Sequence, residues 1–279
     1  MVSRRTFLAA AAAVSVPASA RTLTNIGVQL YTVRKVLPKD PLGVVRQVQA
    51  IGYKEAEVIP DELDITMEAL KQTSLKAVSL HLDTELFLRK QDKLGAALEK
   101  AKSYGFQYAV CPWIDPKDRG GEDVMKKLGA TLNAAGEQCA KLGMTFCYHN
   151  HAFEFAPSGS GTLLDVLMQV TDPQLVSFEL DMMWAQVAGV NPASVLDKYG
   201  SRIKLMHLKD VVAMPKRYNE EIPASAFKEV GNGTVKVAEV LAAAAKAGVQ
   251  HYFVEQDETA GNPIASLKQS YDYLSKLDF

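Results

Sequence analysis

The sequence predicts an α/β protein built as a single (β/α)8 barrel, and three observations carry that expectation. Short β-branched and apolar runs alternate with longer helical patterns, the mark of a parallel sheet crossed by helices. Eight strand candidates can be counted, at 26–31, 54–58, 76–81, 107–111, 145–149, 176–181, 203–207 and 250–255. They occupy roughly 255 residues, close to the length of about 250 typical of such a barrel. Helical patterns lie between them at 42–51, 62–73, 93–104, 123–142, 161–170, 192–199 and 237–247. Several close on the same punctuation, a glycine at 52, 105, 143 or 248 followed by an aromatic or apolar residue. Helix ends favour glycine there because the next residue often needs positive φ. No GxGxxG turn follows the first strand, which weakens an open doubly wound sheet as the rival.

Residues 1–20 are set aside from the barrel. MVSRRTFLAAAAAVSVPASA has a basic start, an apolar middle and a small-residue end, the layout of an export signal. Arg4 and Arg5 stand in SRRTFLA, which resembles a twin-arginine consensus, and Ala18-Ser19-Ala20 reads as a cleavage site. The apolar run from Phe7 to Ala20 is 14 residues, short of the ~20 that a membrane-spanning helix needs. The expectation is therefore a signal peptide at 1–20, one barrel domain at 21–279, export to the periplasm by the twin-arginine machinery, and no stable membrane anchor.

The chain carries 31 basic and 32 acidic residues in 279. Residues 1–20 hold Arg4, Arg5 and no acidic residue, so 29 basic face 32 acidic residues beyond them. Binding to a polyanion rests largely on positive charge, so nucleic acid is not expected as a partner. The three cysteines, Cys111, Cys139 and Cys147, have no CxxC spacing. They read as buried thiols rather than a disulfide framework or zinc ribbon. Homo-oligomerisation is left open.

Polar residues gather at the ends of the later strands, where (β/α)8 barrels place their active sites. Four of the five histidines lie at strand ends. His149, Asp181, His207 and Glu255, one from each of strands five to eight, would meet above the barrel mouth as ligands of one divalent metal ion. Mixed imidazole and carboxylate ligands without thiolate suit Mn, Zn, Co, Fe or Mg rather than a structural zinc site.

Several segments then resemble a known family. YHNHAFEF at 148–155, FELDMMWA at 178–185, KLMHLKDV at 204–211, EVGNGTVKV at 229–237 and YFVEQDET at 252–259 are similar to the sugar phosphate isomerase/epimerase family. That family lies within the xylose isomerase-like TIM barrels, with endonuclease IV relatives and inosose dehydratase. IGVQLYTVR at 26–34 fits as well. The resemblance implies a metal-dependent barrel acting on a sugar or polyol, and a metal set of Glu, Asp, His and Glu from the last four strands. Asp181, His207 and Glu255 match that set. His149 stands where many relatives carry the first Glu, and Glu154 follows five residues later as the alternative ligand or base.

The resemblance further implies an isomerase or epimerase that forms an enediolate. A cation held at a hydroxyl-carbonyl pair stabilises the charge that develops when the α-proton leaves. Glu154 and His151 are the candidate acid and base groups, and Lys209 would polarise an oxygen or else pair with Asp210 or another carboxylate. His81, Glu57, Trp113 and Trp184 would line the substrate pocket, with Gln29 and Tyr31. The alternatives are a lyase of 3-keto-glycosides or keto-polyols using the same enediolate, and a non-catalytic sugar-binding protein. The long segment 214–233 is expected to act as a lid or to contact the substrate. Its Lys216, Arg217 and Lys228 are offset by Glu220, Glu221 and Glu229. Together with export, this favours an unphosphorylated sugar, a keto-sugar or a glycoside as the partner molecule.

Overall fold

The computed structural model describes residues 21–279, so the expected signal peptide lies outside the described residues. Eight parallel strands close into a barrel. They are β1 (Gly27–Gln29), β2 (Glu55–Val58), β3 (Lys76–His81), β4 (Tyr108–Cys111), β5 (Thr145–His149), β6 (Val176–Asp181), β7 (Ile203–Leu208) and β8 (His251–Val254). Each strand pairs with its sequence neighbour, and β1 closes on β8 through Gly27 opposite Phe253. The expected strand at 26–31 is shorter than its apolar run. The Gln29 side chain accepts a hydrogen bond from the Tyr31 amide at 3.0 Å and turns the chain into a 3₁₀ segment, Leu30–Val33.

Among the described residues ten helices surround the strands: α1 (Pro41–Ile51), α2 (Leu63–Leu70), α3 (Glu85–Leu88), α4 (Leu94–Ser103), α5 (Glu122–Lys141), α6 (Leu163–Val170), α7 (Met182–Val187), α8 (Pro192–Tyr199), α9 (Val237–Ala247) and α10 (Pro263–Leu274). Their sequences stop and start where local chemistry dictates. Gly143 and Gly248 take φ of 64° and 83°, backbone that L side chains rarely adopt. At the start of α6, Thr162 and Asp165 bond reciprocally to each other's backbone amides, satisfying two otherwise unpaired donors. Among the described residues no helix is long and apolar enough to cross a membrane. The three cysteines are free and buried.

The strands alternate inward and outward, so two cores form. Outward residues such as Ala56, Leu80, Phe146 and Met206 pack beneath the helices. Inward residues Val78, Tyr108, Val110, Cys147, Leu205 and Phe253 make a separate apolar plug inside the barrel. Above that plug the inward positions turn polar: Glu57, Ser79, His81, His149, Glu179, Asp181 and His207. Register shifts occur at Ala56/Glu57 in β2 and Phe178/Glu179 in β6. Such irregularities re-aim side chains, and each falls immediately before a carboxylate of the barrel interior.

Candidate metal and substrate site

The strand ends carry a cavity of about 610 Å³, lined by His81, His149, His151, Trp184, Lys209 and Glu255, among others. At and just beneath its floor four buried side-chain atoms converge, His149 Nε2, Asp181 Oδ2, His207 Nδ1 and Glu255 Oε2; none has an aligned hydrogen bond, but the two carboxylate oxygens meet Lys209 Nζ at 3.1 and 2.5 Å. His149, Asp181 and His207 present these groups within 4.8 Å of one another. Glu255 Oε2 lies 2.9 Å from His207 Nδ1. These are the four residues expected from the strand ends, one from each of β5, β6 and β7, and Glu255 directly after β8.

Three of the four ligand candidates are held by their other polar atom. His149 Nδ1 donates to the Pro112 carbonyl at 2.8 Å, which leaves the Nε2 lone pair facing the cavity. His207 Nε2 donates to Glu57 Oε2 at 2.6 Å and so turns Nδ1 toward Glu255. Asp181 caps α7: its Oδ1 accepts from the amides of Met183 and Trp184 at 2.9 and 3.0 Å, and Oδ2 is left to face Lys209 and His149. Asn150 fixes the same strand end by accepting from the Asp181 amide at 3.1 Å. Directed imidazole and carboxylate donors of this kind, the carboxylates already drawn to one cation, the Lys209 ammonium, fit a divalent cation. So does the charge, because five carboxylates, Glu57, Glu179, Asp181, Glu255 and Asp257, crowd around one lysine and a few imidazoles.

Glu57 was expected to line the pocket, but it lies beneath the cavity floor. Its carboxylate accepts from Gln29 Nε2 (2.9 Å), Ser79 Oγ (2.5 Å) and His207 Nε2. Gln29 is likewise fully buried in this layer. The inward turn of β2 puts the Glu57 carboxylate against His207, where it orients the imidazole instead of meeting a ligand. Glu179 was not singled out from the sequence. Its oxygens lie 3.1 Å from His81 Nε2 and 3.3 Å from His207 Nε2. With His81 and His207, Glu57 and Glu179 form a second buried cluster below the first, the two sharing His207. The signal was present in the period-2 pattern of FELD, where Glu179 and Asp181 share a face.

Lys209 pairs with Asp181 at 3.1 Å, Glu255 at 2.5 Å and Asp257 at 2.7 Å. Burial would lower its pKa, but these carboxylates hold it well above the usual lysine range. Asp210 is not its partner. Asp210 instead accepts from the amides of Val211, Gly231, Gly233 and Val235 and so shapes the following loop. Burial would likewise push the His81 imidazole down, yet Glu57 and Glu179 hold its pKa up at about 9. His151 behaves oppositely. Burial, then His149 and Lys209 nearby, hold its pKa well below the usual histidine value. It is thus neutral at pH 7, with Nδ1 unpartnered and its ring 5.4 Å from that of Trp184.

Glu154 does not face the cavity. It is wholly buried, accepting from Tyr148 Oη at 2.7 Å and from the His151 amide at 2.9 Å. The 3₁₀ turn Phe153–Phe155 carries it back against its own strand, so the strand-five group at the cavity floor is His149. Trp113, Trp184 and Tyr31 line the cavity. From the long loop, Glu220, Ile222 and Phe227 form part of the wall, whereas Lys216, Arg217 and Lys228 are not among the lining residues.

A closed parallel barrel with histidines and carboxylates gathered at its strand ends defines a class, the (β/α)8 barrels of the xylose isomerase type. Residues 45–277 match the model of the xylose isomerase-like TIM barrel family, and the chain belongs to that family. An inosose dehydratase of Clostridium botulinum is 26% identical over 267 residues, covering 83% of this chain and 88% of the relative. A sugar phosphate isomerase/epimerase from Parabacteroides distasonis superposes with a TM-score of 0.75 at 21% identity, over 93% of this chain and 98% of that one. An IolI protein with a bound zinc atom superposes with a TM-score of 0.69 at 16% identity, over 88% of this chain and 96% of that one.

Proposed function

We propose that the protein is a divalent-metal-dependent enzyme that enolises an unphosphorylated keto-sugar or keto-polyol and completes the reaction by β-elimination. The observation that carries this reading is the convergence of two imidazole nitrogens and two carboxylate oxygens, buried together beside a neutral imidazole and two cationic groups. His149, Asp181, His207 and Glu255 would hold the ion. Bound there, it would supply positive charge against the oxygens of a hydroxyl-carbonyl pair as negative charge develops.

The chain's own residues supply the proton chemistry. His151, neutral and aimed into the cavity, takes the α-proton. The electron pair passes into the enediolate and then expels the β-oxygen, whose C–O bond breaks. Lys209 or His81, both protonated at neutral pH, donates the proton that the leaving oxygen needs. The dehydratase relative supports elimination as the outcome. Isomerisation or epimerisation uses the same first step and is supported by the Parabacteroides neighbour's name. The acidic cavity wall, with Asp61, Asp83, Glu220 and Glu258 around it, supports an uncharged substrate. The export-signal layout expected at 1–20 supports an exported, periplasmic setting.

Metal analysis of the purified chain should find about one divalent ion, lost in His207→Ala. The loaded protein, incubated in D₂O with keto-inositol and 3-keto-glucosides, should exchange the α-hydrogen and release water or an aglycone, read by proton NMR. An isomer of unchanged mass would select the second reading. A protein that cannot be loaded, or that exchanges no α-hydrogen across the panel, would overturn both.

A further inference from the structure

The cavity is larger than one sugar ring needs. At about 30 Å³ per water, its 610 Å³ holds roughly twenty waters, whereas a hexose has only twelve non-hydrogen atoms. The surplus lies toward the mouth, where the side chains change character. Five large hydrophobic residues are exposed among the described residues, and two of them, Tyr31 (39%) and Trp113 (37%), line this cavity.

Both rings are held as platforms. Arg34 lies over Tyr31, 3.9 Å from the ring centroid, and is itself paired with Glu258 at 2.8 Å. Trp113 is anchored at three points. Thr84 Oγ1 donates to its carbonyl at 2.7 Å, Arg119 sits 5.6 Å from its ring, and its Nε1 donates to Glu220 Oε2 at 3.3 Å. Arg119 also holds that Glu220 oxygen at 2.7 Å. The other oxygen, Glu220 Oε1, is buried and has no hydrogen-bond partner. An indole kept in one orientation while part-exposed, beside an unused acceptor, has the chemistry of a ring-binding surface: an apolar face for stacking and an oxygen for a hydroxyl.

We propose that Trp113, Tyr31 and Glu220 form an outer subsite for a second ring, so that the substrate is a glycoside whose ring aglycone departs in the elimination. This rests on the enolising reading above and names its substrate class. In a 3-keto-glycoside the proton leaves C2, the C1–O bond to the aglycone breaks, and the aglycone departs as an alcohol after gaining one proton. No oxidant or reductant is consumed in that step.

The test compares methyl, phenyl and 4-hydroxyphenyl glycosides of gluco and galacto configuration, titrated calorimetrically into the metal-loaded protein. For at least one configuration, the phenyl glycoside should bind at least about fivefold tighter than its methyl counterpart, the scale of one aromatic stacking contact. The 4-hydroxyphenyl glycoside should bind tighter still, by an increment lost in Glu220→Gln. The phenyl-to-methyl ratio should fall below about twofold in Trp113→Ala and recover in Trp113→Phe. Equal binding of phenyl and methyl glycosides, or a ratio unmoved by Trp113→Ala, would overturn the subsite and leave the enolising reading standing. No binding by any glycoside, with α-hydrogen exchange on keto-inositol intact, would do the same. Loss of that exchange as well would sink both.

Discussion

Glu154 carries a carboxyl that burial pushes up to about 8, against the hydrogen bonds from Tyr148 and His151. In the unfolded chain the same group titrates near 4.3. Between those values the folded state binds more protons than the unfolded state, so this group's contribution to stability falls as pH rises from about 4.3 to 8. A glutamine reproduces the protonated form, its amide donating to Tyr148 Oη and its oxygen accepting from the His151 amide. Glu154→Gln is therefore expected to retain turnover and to flatten the decline of Tm between pH 5 and 8.5, with a gain largest at the alkaline end. A steeper alkaline decline in the variant would contradict the assignment. At this scale the strand-end residues were legible because motif and strand boundary coincide at His149, Asp181 and His207. The direction of Glu154 was not, since a loop carboxylate can turn either way and only packing against Tyr148 chooses.

The loop after β7 is organised by one side chain. Asp210 gathers four backbone amides between Val211 and Val235, and a Cβ on Gly233 would lie only 2.6 Å from the Val211 carbonyl, with the Asp210 carboxylate also in its way. Hydrogen bonds to a charged acceptor are worth about 1.5–3 kcal/mol each when lost, with water recovering part of that at a loop. Asp210→Ala is accordingly expected to cost about 2–4 kcal/mol, a fall in Tm of roughly 5–10 °C by thermal melt. Asp210→Asn should cost less. A Tm within a degree of wild type would remove Asp210 from this role. EVGNGT was visible in the sequence as part of a family resemblance, but what its glycines answer to is a carboxylate twenty residues earlier. The register shifts at Ala56/Glu57 and Phe178/Glu179 belong to the same scale. They depend on how two twisted strands meet, which no single strand's sequence states.

For the whole molecule, the crowding of five carboxylates about Lys209 and the histidines sets the expected response to metal. An ion bound only by the folded state adds about 2.7 kcal/mol at a hundred times its Kd. Loading with Mn, Zn or Co should thus raise Tm by roughly 5–10 °C over the chelated protein, and His149→Ala should reduce the rise. An identical Tm with and without chelator would argue against a bound ion in the native state.

The order of eight strand-helix units, the glycine stops, the inward polar ends of β5 to β8 and the family were all determined by the sequence, because they depend on local periodicity and on residues close together in the chain. Tertiary structure alone decided which atom of each ligand candidate faces the others, that Glu57 and Glu179 brace the histidines from below, and that Lys209 turns to Asp181, Glu255 and Asp257 rather than to its neighbour Asp210. Those outcomes follow from closing the barrel. Closure brings β2 and β3 against β6 and β7 across the interior, and electrostatic partners are then set by distance through space, not by distance along the chain.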